Sequence, residues 1–578
     1  MDTGSWSASR SVRLIGLLVL TAVFCLTLAV RSGNIFDRPL LSHNEDATGH
    51  VLATMRAMNA APPEVHKYLP IITLSQNPAD RKIDNFVGAS ISDGAGNHFY
   101  VSFPPLGFAI PYLMFRTFGI EPDVVSLRLF SAVLGLLTTG LLYLLALELL
   151  RGLGLSERRS AISAALTALL MLMNSESLWI FGNVYWHHVL LAPLLLWSLL
   201  LIARILEDGT AFRHILLFLS LALACAVEWA AYPLAASIAV LGAYRWLRRH
   251  EGGAALLVIG IVAPVTALSF IVWHFSQVAG LSAYLEVLQN RPTSHRLHGG
   301  TIWLGVIAFA TLYLPLGLLA ASFALPWGRK SPTLVLPSDR TRRVVWPVLF
   351  CAGAASVESV VLLQHTVWYP YGSLPATIFA LLVLLTIFIY TGARIRRLAW
   401  GTAACSIFWL AVYFVQNPVG LKNSAFGAQF TDLNLISRLS SPDEQVFANV
   451  ETTLGIALAT GRRNLVSYPT MPLDVPLSKM RAYLAKNAPS RQGKLFLFDI
   501  PSAEIPQTVW WPYTKSRVVE RPHYQYGRLA AVVSFNAAGV TSVSARPDPQ
   551  SRRALHKWMS RQGRAVEGVK IASLMPSL

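Results

Sequence analysis

The sequence predicts an α-helical polytopic membrane protein with about eleven transmembrane helices, followed by a C-terminal extracytoplasmic α/β domain. Hydrophobic residues make up 54% of the chain and charged residues 13%, whereas a soluble protein carries about a quarter charged residues. The apolar residues form long uncharged blocks, such as Leu14–Val30, Leu190–Ile205 and Ala376–Tyr390. Blocks of this length suit a helix that crosses the bilayer.

The net charge of +18 suggests nucleic-acid binding, but the distribution of the charge argues against it. The basic residues form short clusters between the apolar blocks: Arg151/Arg158/Arg159, Arg245/Arg248/Arg249, Arg340/Arg342/Arg343 and Arg394/Arg396/Arg397. Short cytoplasmic loops of membrane proteins concentrate Lys and Arg in this way. The clusters therefore predict a cytoplasmic N-terminus and a C-terminal domain on the opposite side of the membrane.

The apolar blocks give the predicted spans in order. They cover about 13–30, 124–149, 160–181, 186–205, 213–230, 232–247, 254–273, 301–325, 344–364, 372–392 and 397–415. The first is interpreted as an uncleaved helix, because no small-residue cleavage site follows it. The four cysteines all fall inside apolar segments and indicate neither a metal site nor a disulfide.

Three segments are predicted outside the bilayer on the extracytoplasmic side. The long loop 31–123 contains Phe103–Phe118, an apolar stretch interrupted by prolines that predicts an interfacial or re-entrant helix. A shorter loop spans 274–300. The tail alternates short β-like and helical stretches, which is typical of an α/β domain. The chain thus divides into a transmembrane catalytic domain, 1–415, and a soluble domain, 416–578.

The first outer loop opens with adjacent acids, Glu45 and Asp46, followed by His50. On a helix, Asp46 and His50 share one face, and acids placed just past a membrane helix suit the mouth of a cavity. The same residues also suit a solvated helix start, with Asn44 as the cap and the acids at the positive end of the helix dipole. Spacing alone leaves both interpretations open.

A second motif lies some fifty residues later in the same loop, Asn97-His-Phe-Tyr-Val-Ser-Phe-Pro-Pro-Leu-Gly-Phe108. An acidic pair after the first helix, followed by an aromatic-x-x-x-Pro-Pro-Leu segment, resembles the GT-C superfamily of glycosyltransferases. The protein O-mannosyltransferases and the aminoarabinose (lipid A) transferases are the branches that it resembles. Phe118-Gly119, Ser126-Leu-Arg-Leu129 and Tyr369-Pro-Tyr-Gly-Ser-Leu-Pro375 also match. The resemblance covers about residues 13–415.

The resemblance implies an inverting transferase that takes a sugar from a polyprenyl-phosphate donor on the outer face of the membrane. In those families a first-loop carboxylate lies beside the acceptor hydroxyl as general base or hydrogen-bond acceptor. That role falls here on Asp46, with Glu45 as the second candidate, because the order of the pair differs from the more usual Asp-Glu. Relatives often carry a charged residue just before Pro-Pro, where this chain has Ser102-Phe103, which weakens the assignment to the lipid A branch.

The loop 274–300 is the candidate site for the donor phosphate. Its end carries Arg291, Arg296 and His298, and the two arginines are the only Lys/Arg of the later short outer loops. A planar guanidinium binds phosphate bidentately, so these three residues are predicted to hold the departing phosphate. Contact between this basic loop and anionic lipid headgroups is an equally good alternative.

Other polar residues lie near the predicted outer helix ends. Ionisable residues at membrane depth are candidates for function, and the acids of this kind are Glu176, Glu228 and Glu358. Glu228-Trp229 resembles an acid–Trp pair of related transferases, so Glu228 is predicted to contact substrate, with structural pairing to Arg or His as the alternative. The remaining substrate-binding candidates are His50, Tyr100, His365 and Tyr369.

His187 and His188 are interpreted differently. Adjacent histidines point to different faces of a helix, so joint metal ligation is not expected. The pair follows Tyr185 and Trp186 and is interpreted as part of an aromatic belt at the membrane surface. No metal ligands are predicted; the first-loop acids permit a divalent cation, but no cofactor is expected to be obligatory.

The alternatives to a monosaccharide transferase belong to other classes. A transporter or lipid flippase is also polytopic, but the internal repeats and broken helices that transporters tend to have are not visible in the sequence. An O-antigen-ligase-like oligosaccharide transferase and a non-catalytic glycan-binding subunit are further alternatives. The expected partners are the polyprenyl-phosphate donor, membrane lipids and a lipid, glycan or protein acceptor, with no nucleic acid. The expected location is a bacterial inner or plasma membrane.

Overall fold

The structure is a computed structural model, and it confirms the predicted fold class. It describes residues 3–37, 40, 43–77, 79, 89–151, 155–290, 299–324, 339–361, 370–416, 425–449, 457–458, 460–462, 464–467, 477–487, 492–499, 528–562, 566 and 569–574. Helices dominate the chain as far as Gln416, and a domain that contains a β-sheet follows.

The helices of the N-terminal part include most of the predicted spans. In chain order they are α1 (Thr3–Ser32), α2 (His43–Ala60), α3 (Pro63–His66), α4 (Leu106–Phe118), α5 (Val124–Leu150), α6 (Glu157–Met173), α7 (Ser175–Asn183), α8 (His187–Glu207), α9 (Ala211–Val227), α10 (Ala231–Leu247), α11 (Gly253–Asn290), α12 (Gly299–Ala324), α13 (Trp346–Ala355), α14 (Val357–Val361), α15 (Leu374–Tyr390) and α16 (Ile395–Gln416).

Within the described residues, seven helices are long and apolar enough to cross a membrane, or eight if α6 and α7 form one bent span. The predicted number of about eleven also included α9, α10 and α12. Helices α9 and α10 have 17 residues each, which is shorter than the roughly 20 residues that span a bilayer core. Helix α12 has 26 residues, but most side chains of its first turns lie outside the described residues. The total of about eleven transmembrane helices therefore stays a prediction.

Helix α8 lies at the centre of the bundle and α1 at its edge. The most apolar stretch of α8 is 83% buried, whereas that of α1 is 22% buried. Helix α8 packs against α5 and α9, and the Oγ atoms of Ser198 and Ser220 lie 2.9 Å apart between α8 and α9. Helix α8 is therefore surrounded by protein along most of its apolar length.

The predicted span 160–181 is broken, since α6 and α7 meet at an angle of 64°. The break lies at Asn174, whose side-chain Oδ1 accepts hydrogen bonds from the backbone N–H groups of Glu176 (3.0 Å) and Ser177 (3.4 Å). An Asn at this position caps a helix N-terminus, so Asn174 starts a second helix inside an apolar stretch. The bend directs α7 towards the start of α8.

The first loop folds onto the bundle. It contains a small antiparallel sheet in the order β1-β3-β2, formed by β1 (Ile71–Thr73), β2 (Ser90–Ser92) and β3 (His98–Tyr100). Helix α4 packs one side on the protein and exposes Leu113 and Phe118, an arrangement that suits the predicted interfacial helix. Helix α2 is buried along most of its length.

The tail is a three-layer α/β domain. Its six-stranded sheet has the order β5-β4-β6-β7-β8-β9. The elements in chain order are α17 (Ala425–Leu439), β4 (Gln445–Ala448), β5 (Val466–Ser467), α18 (Leu477–Asn487), β6 (Gln492–Asp499), β7 (Arg528–Asn536), β8 (Val540–Ala545), α19 (Pro549–Gln562) and β9 (Ile571–Ser573). Helix α17 covers one face of the sheet, and α18 and α19 cover the other. Successive side chains of β4 and β6 point to opposite faces of the sheet, so both strands contribute to the hydrophobic core on each side of it.

Arg340 joins several helices at the end of the bundle opposite the first loop. Its guanidinium donates to the carbonyl oxygens of Glu148 (2.8 Å) and Leu149 (3.3 Å), at the end of α5 where carbonyls lack intrahelical partners. It also pairs with the carboxylates of Glu148 and Glu207, and Glu207 is the last residue of α8. One side chain therefore fastens α5, α8 and the segment that leads into α13.

Arg340→Ala is expected to destabilise the transmembrane domain by about 1.5–3 kcal/mol, because it removes charged hydrogen bonds from carbonyls and carboxylates that are mostly buried. Glu148 keeps Arg151 (3.1 Å) and Arg204 (3.5 Å), which limits the loss. Thermal unfolding of the purified protein in detergent measures the change. Arg343→Ala is the control, because Arg343 and its partner Asp339 are 73% and 85% exposed. Equal shifts in the two variants would contradict the fastening role.

Candidate functional site

Buried polar side chains and aromatic rings meet where α7 ends and α8 begins, on the side of the first loop. His187 and His188 start α8, and their side chains are 0% and 2% exposed. Tyr185 and Trp186 are buried as well. The interpretation of this segment as an aromatic belt is therefore wrong, because belt side chains face the lipid headgroups and these rings face the interior of the bundle.

Glu228 lies at the end of α9 and contacts both histidines. It is fully buried, and its Oε2 lies 3.6 Å from Nδ1 of His187 and 3.4 Å from Nδ1 of His188. Its Oε1 accepts a hydrogen bond from the backbone N–H of Trp229 at 2.8 Å. The alternative given for Glu228, structural pairing with a histidine, is thus present, and it places the carboxylate at the centre of the cluster.

Glu358, on α14, brings a second carboxylate to His188. Its Oε1 lies 4.0 Å from Nε2 of His188, so the imidazole stands between two acids. One ligand atom from each of His188, Glu228 and Glu358 lies within 4.8 Å of the others. These are the residues of this site that have the donor atoms and the spacing to hold a metal ion.

Aromatic rings enclose His187. The ring of Trp186 stacks on it with centroids 4.5 Å apart, and the rings of Phe103 and Phe108 meet it edge-on at 5.2 and 4.4 Å. A Cβ on Gly107 would lie 2.5 Å from Cγ and Cδ2 of His187. The glycine of the Pro-Pro-Leu-Gly segment therefore permits α4 to lie directly against the start of α8.

His50 links α2 to the same cluster. Its ring lies 4.2 Å from the ring of Tyr100 in an edge-on arrangement and 5.9 Å from that of Trp186, measured between centroids. Two residues earlier in α2, the Oγ1 of Thr48 accepts a hydrogen bond from the backbone N–H of Tyr185 at 3.0 Å. Helix α2 is thereby fixed against the turn that connects α7 to α8.

The segment Ser102-Phe103 is held by Trp229, whose indole N–H donates to the carbonyl oxygen of Ser102 at 2.9 Å. Glu228 and Trp229 are adjacent in the chain. The acid therefore approaches the histidines while the Trp binds the aromatic–Pro-Pro segment, so this pair connects the two halves of the cluster.

A third acid, Glu176, lies at the start of α7 and hydrogen-bonds the hydroxyl of Ser373. Two residues before that serine, Tyr371 is buried, with its ring 5.5 Å from His188 and 6.0 Å from Trp186. The Tyr-Pro-Tyr-Gly motif thus reaches the cluster through Tyr371.

Two buried arginines stabilise the backbone beside the cluster. Arg128 of α5 donates to the carbonyl oxygens of Asn183 (2.9 Å) and Ile35 (3.4 Å), and Arg31 of α1 donates to that of Phe181 (3.1 Å). Carbonyls at the end of a helix attract cations, so both side chains secure the C-terminus of α7.

Two histidines of the first loop have a lowered pKa. Burial lowers the pKa of His66, and the Arg116 guanidinium lowers it further. Burial also lowers the pKa of His98, partly offset by Asp93. The lowered pKa favours the neutral imidazole in both residues.

Three of the predicted substrate-binding residues, His50, Tyr100 and Glu228, lie in or next to this cluster. Glu45 and Asp46 belong to the first turns of α2, and their side chains lie outside the described residues. The other predicted site residues also lie outside the described residues: Arg291, Arg296, His298, His365 and Tyr369. The fold also brings together Trp186, His187, His188 and Tyr371, which are not among the predicted site residues.

Comparison with known proteins gives a likeness at the level of structure only. No protein-family model matches the chain, and no curated protein matches it. The apo structure of ArnT from Cupriavidus metallidurans is similar, with a TM-score of 0.48 and 13% identity over 83% of this chain and 92% of that one. The structure of the same protein bound to undecaprenyl phosphate has a TM-score of 0.48 and 14% identity over 86% and 94%. At this TM-score the likeness assigns no residue role.

Proposed function

We propose that the protein is an inverting glycosyltransferase that moves a sugar from a polyprenyl-phosphate donor to an acceptor outside the cytoplasm. The observation that carries the proposal is the convergence of α2, which holds the acidic pair, with the aromatic–Pro-Pro segment. These motifs lie some fifty residues apart in the chain and meet at the contact between His50 and Tyr100. If the acidic pair only began a solvated helix, α2 would not need to contact the aromatic–Pro-Pro segment.

The proposed chemistry assigns a role to each group. A base next to the attacking hydroxyl takes its proton as the anomeric carbon is attacked, and cations stabilise the departing phosphate. Asp46 is proposed as the base, with Glu45 second. His50, Tyr100 and Glu228, with His365 and Tyr369, are proposed to contact the substrates. The aromatic rings at the cluster exclude water, which strengthens electrostatic interactions there.

The donor phosphate is proposed to lie against Arg291, Arg296 and His298. Arg291→Ala and Arg296→Ala are each expected to weaken donor binding about 10-fold or more, because a desolvated charge-assisted bond contributes about 1.5–3 kcal/mol. Binding of a polyprenyl-phosphate sugar to protein in nanodiscs measures the effect. Arg213→Ala, in the first turn of α9 at the opposite end of the bundle, is the control. Unchanged affinity in both loop variants would remove this loop from the site.

The function itself is tested with purified protein in nanodiscs and a panel of polyprenyl-phosphate sugars. We expect one sugar to be consumed, with release of polyprenyl phosphate and inversion at the anomeric carbon of the product. If no donor is consumed in the presence of lipid, glycan and protein acceptors, the proposal is wrong.

A transporter or flippase of lipid-linked sugars is the second candidate, and one observation favours it. The α6–α7 span is broken at Asn174, and transporters often bind substrate at broken helices. Proteoliposomes that contain a fluorescent polyprenyl-phosphate sugar distinguish the two candidates. Movement of the lipid between leaflets without transfer of the sugar would favour the transporter.

A further inference from the structure

We propose that His188, Glu228 and Glu358 bind a divalent first-row transition-metal ion, of the class that includes Mn²⁺ and Zn²⁺. The donor set is one imidazole nitrogen and two carboxylate oxygens, and these atoms lie within 4.8 Å of one another. Mixed nitrogen and oxygen donors suit Zn²⁺ and Mn²⁺, whereas Mg²⁺ and Ca²⁺ prefer oxygen alone.

The distances are close to those of a metal centre. Metal–ligand bonds of about 2.1 Å place donor atoms roughly 3.0–4.2 Å apart in tetrahedral or octahedral geometry. The carboxylates of Glu228 and Glu358 approach different nitrogens of the His188 ring, Nδ1 at 3.4 Å and Nε2 at 4.0 Å. With one nitrogen taken as the ligand, the three donor atoms lie within 4.8 Å of one another, so the side chains must rotate and draw closer to complete the shell around an ion.

The three ligands come from different parts of the bundle. His188 is in the first turn of α8, Glu228 ends α9, and Glu358 is in α14. A site assembled from several helix ends is held by the packing of the bundle and not by one mobile loop. The ion would in turn connect α14 to α8 and α9.

Charge and surroundings also suit a divalent cation. The two carboxylates supply two negative charges when both are ionised; the Glu228 side chain is fully buried and that of Glu358 is 19% exposed. Buried charges are costly unless matched, and a divalent ion matches both. The backbone N–H of Trp229 donates to Glu228 Oε1, and His187 approaches Oε2 of the same carboxylate. Such outer contacts orient the ligands of a metal.

The test measures bound metal, so its result does not depend on the proposed transferase activity. The full chain, purified with a tag that contains no histidine and treated with a chelator, is titrated with Mn²⁺ followed by electron paramagnetic resonance. Zn²⁺ is then added as a competitor, and metal content is determined by mass spectrometry. We expect about one ion per chain and a rise in Tm with the bound ion.

Glu358→Gln and His188→Gln are expected to weaken binding at least about 10-fold, because each removes a ligand. Glu286→Gln and His556→Gln change exposed residues of the same types and are expected to leave binding unchanged. Glu358→Gln is nearly isosteric, so it decides the result if the His188 variant does not fold. If wild-type protein binds no more Mn²⁺ or Zn²⁺ than Glu358→Gln, the cluster is an ion-pair network and the metal site is excluded.

Discussion

Asp46→Asn is expected to reduce sugar transfer by about 10²–10⁴-fold, the usual contribution of a general base, while leaving expression, Tm and donor binding unchanged. The amide is nearly isosteric with the carboxylate and also serves as a helix cap, so a purely structural role would survive the change. The amide cannot, however, take the proton of the acceptor hydroxyl, so a general-base role would be lost. Single-turnover transfer of a labelled sugar, measured beside donor affinity, separates the chemical step from binding.

Glu45→Gln is the matched control, since it makes the same chemical change one residue earlier in α2. We expect it to have the smaller effect. If Glu45→Gln is inactive and Asp46→Asn nearly normal, the two roles are exchanged. If both variants keep almost full activity, the acidic pair is only a helix start and the catalytic assignment is wrong.

Hydropathy and motif order predicted much of the architecture. Uncharged apolar blocks gave most of the long helices, because a bilayer allows few other ways to satisfy the backbone. Alternation of short strands and helices gave the tail domain. The acid–Trp pair pointed to Glu228 and the spacing of the acidic motif to His50, and both residues lie in or next to the buried cluster; their contact with substrate stays a prediction.

The cluster around His188 was not predictable in the same way. Its position depends on the turn between α7 and α8, which places Tyr185–His188 in the buried interior although this segment resembles an aromatic belt. A local signal for the break existed: Asn174-Ser-Glu is a helix start, and it lies inside an apolar block that was interpreted as one span. The approach of Glu358 to His188 joins residues 170 positions apart, a contact that no local pattern encodes.

Gly107→Ala is expected to lower the free energy of unfolding by about 1–3 kcal/mol, the cost of overfilling a packed interior. The new Cβ would meet the His187 ring at 2.5 Å, and that ring cannot easily turn away because Trp186 stacks on it and Phe108 lies against it. Helix α4 and the start of α8 must therefore separate. A displacement of about 1 Å at a catalytic site can reduce activity about 10²-fold, so we expect sugar transfer to fall by a similar factor.

Gly140→Ala provides the contrast, because a Cβ at Gly140 of α5 meets nothing within 4 Å. There the higher helix propensity of Ala is expected to stabilise the protein by about 0.5–1 kcal/mol. The same propensity gain applies to Gly107 in α4, so any loss in that variant comes from the clash.

The double variant Gly107→Ala with His187→Ala removes the ring that the Cβ meets. Its unfolding free energy should exceed the additive expectation by about 0.5–3 kcal/mol, as for residues in direct contact. Additive effects would mean that the residues at 107 and 187 are not in contact, and that Gly107 is not required for the packing of α4 against α8.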